Sequence, residues 1–161
     1  MNNLSHDHKK FRGRAGLPQV RIESHLAEAE IDLEQFHRLV TAALPLCVNK
    51  ANPGSPLPLL EEVEVAMVDD ATIARVHDEY LNEPTATDVI TFDHGEIVIS
   101  YDTALREAGE RGLPLTRELL LYVVHGLLHL AGHDDIDHAA RRRMSALQES
   151  IVGSVYGRVD D

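Results

Sequence analysis

The 161-residue sequence is 43% hydrophobic with one cysteine, Cys47, which gives enough apolar chain for one ordinary globular domain and rules out an internal disulfide. Its 15 Lys and Arg against 27 Asp and Glu leave a formal net charge of −12, which argues against a free-standing, tight RNA binder, so nucleic acid must be met through a local basic patch or a partner. The longest apolar run, Leu119 to Val124, is far short of the roughly 20 residues that cross a bilayer, and residues 1–14 lack the apolar core of a signal peptide, so a cytoplasmic protein without membrane contact is expected.

Residues 1–16 read as a flexible tail carrying Lys9, Lys10, Arg12 and Arg14, and residues 17–161 as a single domain. Gln19 to Glu23 alternates as a short strand does. Ile31 to Leu44 places Leu33, Phe36, Val40, Ala43 and Leu44 at helical spacing, with Pro45 expected to end or kink the helix. Residues 51–58 are a turn-rich connector. Glu62 to Val68 alternates with Val63, Val65 and Met67 on one face, the pattern of a half-buried strand. Asp69 or Asp70 is placed to cap a helix over 71–81, whose inward residues are expected to be Ile73, Val76 and Tyr80. Two further strands, 89–92 and 96–100, join through a tight turn at Asp93-His94-Gly95. The remainder reads as helical: a short piece near 102–110, an apolar helix from about Leu115, and a last helix from about Ile136 with Ala140, Met144, Leu147 and Ile151 on one side. Arg141, Arg142 and Arg143 on that last helix read as a solvated surface.

The chemistry concentrates at the end of the apolar helix, where His125 and His129 stand four residues apart, followed by Gly132 and the carboxylates of Asp134 and Asp135. A four-residue helical step turns about 40° beyond a full circle, so the two imidazoles face the same way. Inside a leucine-rich helix each would need a buried partner, and an unsatisfied buried polar group costs around 1–3 kcal/mol. A divalent ion resolves that need. Gly132, able to take a left-handed C-cap, swings the following chain back so that Asp135 approaches the histidines; His133, Asp134 and His138 are also near enough to supply the third ligand. Asp134 has a competing use as a cap of the last helix, while His133 and His138 read equally as surface histidines. Gly126 stands where H-E-x-x-H zinc peptidases carry their glutamate base, which excludes peptide hydrolysis by that route. A mid-helix glycine costs roughly 1 kcal/mol against alanine, so close approach of a backbone or substrate, or plain packing, must require it.

The run from His125 to Asp135 resembles the H-G-x-L-H-L-x-G-Y-D-H mark of the YbeY family of bacterial endoribonucleases, matching in register at His125, Gly126, Leu128, His129, Leu130, Gly132 and Asp134. Tyr80 to Phe92 is similar to the family's Y-R-G-K-x-x-P-T-D-V-L-S-F, and Gly95 to Ser100 to its G-D-I-x-I-S strand. The resemblance spans roughly Leu60 to Leu147. Two departures stand out. Asp135 occupies the register of the family's third histidine, making the metal set His125, His129 and Asp135, and Leu81 occupies that of an arginine thought to engage RNA phosphate. A substitute charge would have to come from Arg75, Arg117 or an arginine at a helix end.

The expected architecture is α+β: a small mixed four-stranded sheet flanked by helices, with a zincin-like metal-binding helix packed beneath it. What the resemblance implies is a single-strand-specific metallo-endoribonuclease of rRNA processing, maturing the 16S 3′ end, and of ribosome quality control. Its partners would be rRNA and the small ribosomal subunit, with a ribosomal protein or GTPase. One divalent ion is expected, zinc first, with manganese, nickel or iron(II) as alternatives. No general base is assigned; Asp88, His125 and His133 are the weak candidates. The rival reading is a non-catalytic ribosome assembly factor in which the ion only staples the fold. The two-histidine, one-carboxylate set also evokes non-haem iron oxygenases, but such ligands say little without a cosubstrate site.

Overall fold

The computed structural model describes residues 16–160, with side chains as far as Gly157. The expected tail and its basic cluster lie outside the described residues, apart from Gly16. Four strands, β1 (Gln19–Ser24), β2 (Glu62–Val68), β3 (Val89–Thr91) and β4 (Glu96–Ser100), form a mixed sheet in the order β1-β2-β4-β3. β1 pairs parallel with β2 and β2 with β4, whereas β3 runs antiparallel to β4 at the sheet edge. Five α-helices accompany it among the described residues: α1 (Leu33–Asn49), α2 (Asp70–Leu81), α3 (Tyr101–Arg111), α4 (Leu115–Leu130) and α5 (His138–Asp160). This is the α+β arrangement expected from the pattern.

The β3–β4 hairpin turns at Asp93-His94-Gly95 as the residue types suggest, with Phe92 N–H donating to the Glu96 carbonyl at 2.8 Å. Gly95 sits at φ +107°, and a Cβ there would lie 2.6 Å from the Glu62 carbonyl oxygen, so no other residue fits. β2 sends Val63, Val65 and Met67 into the main core, as its alternation predicts. Its second half departs from a half-buried strand, because Ala66 and Val68 are covered on the opposite face by Ile73 of α2, with Ile90 and Val98. The other four helices close the main core, and α4 lies deepest, with eleven buried residues.

Three local expectations are corrected. Pro45 does not end α1, which continues to Asn49 because Leu44 and Cys47 are 2% and 0% exposed, and their burial offsets the lost amide hydrogen bond. Tyr80 is 61% exposed, its ring edge-on to Phe92 at 5.1 Å, since α2 covers the sheet only through Ile73 and the half-buried Val76. The last helix begins at His138, leaving Ile136 exposed, because Asp137 rather than Asp134 accepts the Ala140 amide at 2.7 Å.

Asp69 caps α2 by accepting the Thr72 amide at 2.8 Å. Asp70 does something else: it accepts from the hydroxyls of Ser100 (2.8 Å) and Thr103 (3.0 Å) and from Arg106 (2.7 Å), tying α2 to α3. Burial works against its charge, yet these three donors outweigh burial and lower the carboxyl pKa below its ordinary value.

Candidate metal centre

α4 is pressed onto the sheet at Gly126, where a Cβ would meet Thr91 Oγ1 at 2.9 Å and Ile97 side-chain carbons at 3.0 and 3.1 Å. The mid-helix glycine is therefore explained by packing against β3 and β4. The helix ends as its sequence predicts: Gly132 takes φ +91°, its amide donates to the His129 carbonyl at 3.0 Å, and the His133 amide to the Leu128 carbonyl at 3.0 Å. That pair of bonds is a Schellman closure. Asn52 anchors the turn, donating its backbone amide to the Ala131 carbonyl (2.8 Å) and its side-chain amide to the Gly132 carbonyl (3.0 Å).

The turn delivers Asp135 to the histidines. The Nε2 atoms of His125 and His129 are 3.0 Å apart, and Asp135 approaches them through Oδ2 at 3.7 Å and Oδ1 at 3.8 Å respectively. One ligand atom from each residue falls within 4.8 Å of the others, a group able to hold a metal ion. Ligands about 2.05 Å from a tetrahedral ion stand about 3.3 Å apart, so the set needs only small adjustments to close on one cation. Gln148 of α5 fixes the tautomer: its Oε1 accepts from His125 Nδ1 at 2.9 Å, which turns the Nε2 lone pair towards the shared point. Burial first, and then neighbouring His125, lower the His129 pKa against a smaller opposing pull from Asp135, favouring the neutral, ligating imidazole.

The other sequence candidates go elsewhere. His133 Nε2 bonds the Lys50 carbonyl at 2.7 Å, Asp134 accepts the Ile136 amide at 3.2 Å, and His138 is exposed at the start of α5. Asp88 accepts the Val89 amide at 2.8 Å and lines a polar cleft that His125 shares, but does not join the metal group.

The family model for Endoribonuclease YbeY matches residues 21–156, nearly all of the described chain. The chain belongs to the YbeY family. A Chlamydia muridarum protein named Endoribonuclease YbeY is 32% identical over 148 residues, 84% of this chain and 86% of that protein. Proteins of the same name from Rhodopirellula baltica and Myxococcus xanthus are 42% and 38% identical, over 56% and 57% of this chain. The chain spans only 54% and 36% of those two relatives' own lengths. Among solved structures, the solution structure of TM1509 from Thermotoga maritima aligns with a TM-score of 0.57 at 25% identity, covering 89% of this chain and 96% of that one.

Within this YbeY-family frame, His125 borders two clefts. One, of about 310 Å³, follows the edge strand β3 and is lined by His129, His77 and the 57%-exposed Leu81. Leu81, where the resemblance led to an arginine being expected, thus lines the same cleft as both histidines with an apolar side chain. Arg75 is exposed on α2 beside Thr72, and Arg117 is paired to Glu149 at 3.0 Å. The arginine that lines a cleft shared with His125 is Arg111, the last residue of α3, in the polar cleft of about 500 Å³ between α3, α4 and α5. Glu118, Tyr122 and Gln148 line the same cleft and drew no attention in the sequence, where Glu118 and Tyr122 look like ordinary members of an amphipathic helix. The only available signal for Gln148 was general: a ligating histidine needs a partner for its second nitrogen.

Proposed function

We propose that this chain is a metal-dependent endoribonuclease acting on single-stranded RNA in rRNA processing, including 16S 3′-end maturation, and in ribosome quality control. The carrying observation is the convergence of His125, His129 and Asp135 at the junction of two open clefts, in a chain of the YbeY family. The donor set of two imidazoles and a carboxylate suits zinc best, with manganese, nickel and iron(II) as alternatives. A divalent ion held there would polarise a phosphoryl oxygen and lower the pKa of water for attack. His125 and His129 present their Nε2 atoms from successive turns of a rigid helix, Gln148 keeps His125 oriented, and Asp135 adds a negative charge that an all-histidine site lacks. The reading places one domain at residues 17–161, in the cytoplasm, with rRNA, the small subunit and a ribosomal protein or GTPase as partners. No described helix is long and apolar enough to cross a membrane.

His129→Ala is expected to abolish both stoichiometric metal and processing of a 16S precursor; normal processing by that variant overturns the proposal. A second reading, an assembly factor that uses the ion only to staple α4 to the following turn, draws on Leu81 in place of an arginine. Metal-loaded protein that cleaves no RNA, but loses its fold on chelation, would favour it.

A further inference from the structure

The cleft of about 310 Å³ beside the metal group has a strand edge for its floor. All three residues of β3 line it, with Leu81 of α2 on one side and His129 of α4 on the other. α2 packs on the sheet face that carries Ile90 and α4 on the face that carries Val89, so a cleft touching both helices runs along the free edge of the sheet. Hydrogen bonding alternates along an antiparallel pair, and β3 bonds β4 through its even-numbered neighbours: Phe92 N–H donates to the Glu96 carbonyl, and Ser100 N–H to the Asp88 carbonyl. The backbone groups of Val89 and Thr91 therefore point away from β4, into the cleft. Asp88 Oδ1 accepts the Val89 amide at 2.8 Å, which leaves the Val89 carbonyl and both backbone groups of Thr91 turned to the slot. An edge of this kind is a template on which an extended chain pairs.

Three occupants compete for the slot. Among the described residues that line it there is no lysine or arginine, and Asp93 is one of them, so a phosphodiester chain is not drawn along β3. The β3 edge of a second copy lies between its own two helices, so two such recessed edges do not meet. An extended polypeptide matches the floor: its amides and carbonyls repeat at the spacing of β3, and its alternate side chains fall towards Leu81 or towards His129. Asp93, the exposed Asp78, Glu79 and Glu83 on either side of Leu81 in the chain, and a net charge of −12 select a basic one. We infer that the free edge of β3 is a docking slot for an extended, basic segment of a partner protein, which adds a strand to the four-stranded sheet and covers the metal group. Gly126 supplies no glutamate base beside the histidines, so the segment is held rather than cut.

This inference goes beyond the nuclease reading, and its binding test does not depend on it. Zinc-loaded protein is titrated with the peptide acetyl-Lys-Val-Lys-Val-Lys-amide, following backbone amides by NMR and hydrogen exchange. At about a tenfold excess over its Kd the peptide is expected to slow exchange of the Thr91 amide about tenfold, while the Ile90 amide, turned towards β4, changes little. The acidic counterpart acetyl-Glu-Val-Glu-Val-Glu-amide should bind at least about tenfold more weakly. Thr91→Pro removes the outward amide alone, which a free strand edge accepts, and should weaken the basic peptide about fivefold. Leu81→Lys, at an exposed position, tests the slot without touching the strand: it should weaken the basic peptide and strengthen oligouridylate. Unchanged exchange at Thr91, protection of Thr91 before any peptide is added, equal binding of the two peptides, or protection by oligouridylate in place of the peptide would each overturn the slot. Protein that binds the basic peptide but cleaves no RNA in any metal keeps the slot and removes the nuclease.

Discussion

Two polar clusters sit on this fold, and they are satisfied in opposite ways. Asp70, Ser100, Thr103 and Arg106 form a closed circuit in which hydroxyl and guanidinium donors converge on one carboxylate. His125, His129 and Asp135 instead bring one ligand atom each towards a common point, while the far nitrogen of His125 donates to Gln148 Oε1. The first cluster is complete with protein alone and ties helices together. The second is a group able to hold a cation, and the difference is visible in which atoms face inward rather than in how polar the residues are.

The largest test of that contrast is metal itself. Zinc at about a thousandfold excess over its Kd should stabilise the parent protein by about 4 kcal/mol, roughly a 10 °C rise in thermal midpoint for a domain of this size. Asp135→Ala should lose most of that rise, whereas Asp70→Asn should keep it in full; a metal response equal in parent and Asp135→Ala would erase the distinction. Gln148→Leu sharpens the contrast at smaller amplitude, since an unoriented His125 should weaken metal binding about 10- to 100-fold, read by competition with a chromogenic chelator. The smallest effect belongs to the closed circuit. Asp70→Asn replaces charge-assisted bonds by neutral ones and should cost about 1 kcal/mol near neutral pH. Because the folded-state pKa of Asp70 is lowered, its contribution is present above the ordinary carboxylate range and disappears as pH falls through the lowered value. Denaturant midpoints of parent and variant should therefore converge as pH falls below the ordinary carboxylate range, and a gap that stays constant with pH would show that the charge is not what matters.

The metal helix was legible because its information is local: a four-residue histidine step and a glycine stop need no knowledge of the rest of the chain. The alternation of β2 and the turn at Gly95 were legible for the same reason. What the sequence concealed depends on which elements meet. Pro45 is carried through by burial of Leu44 and Cys47, and burial is a property of the assembled core. Tyr80 falls at inward spacing on α2, but the helix meets the sheet through Ile73 and Val76 and leaves Tyr80 exposed. Gln148 and Arg111 reach the neighbourhood of His125 from two other helices, and no periodicity within α5 or α3 records that meeting.

The seating of α4 at Gly126 has a mechanical consequence. The two imidazoles take their position from how deeply the helix beds against Thr91 and Ile97, while the carboxylate takes its position from a turn moored separately by Asn52. Alignment of the three therefore depends on two footings set by unrelated contacts, and the tolerance between them is no thicker than a methyl group. Wear at either footing would show first as a loosened grip on the cation, with the scaffold still standing.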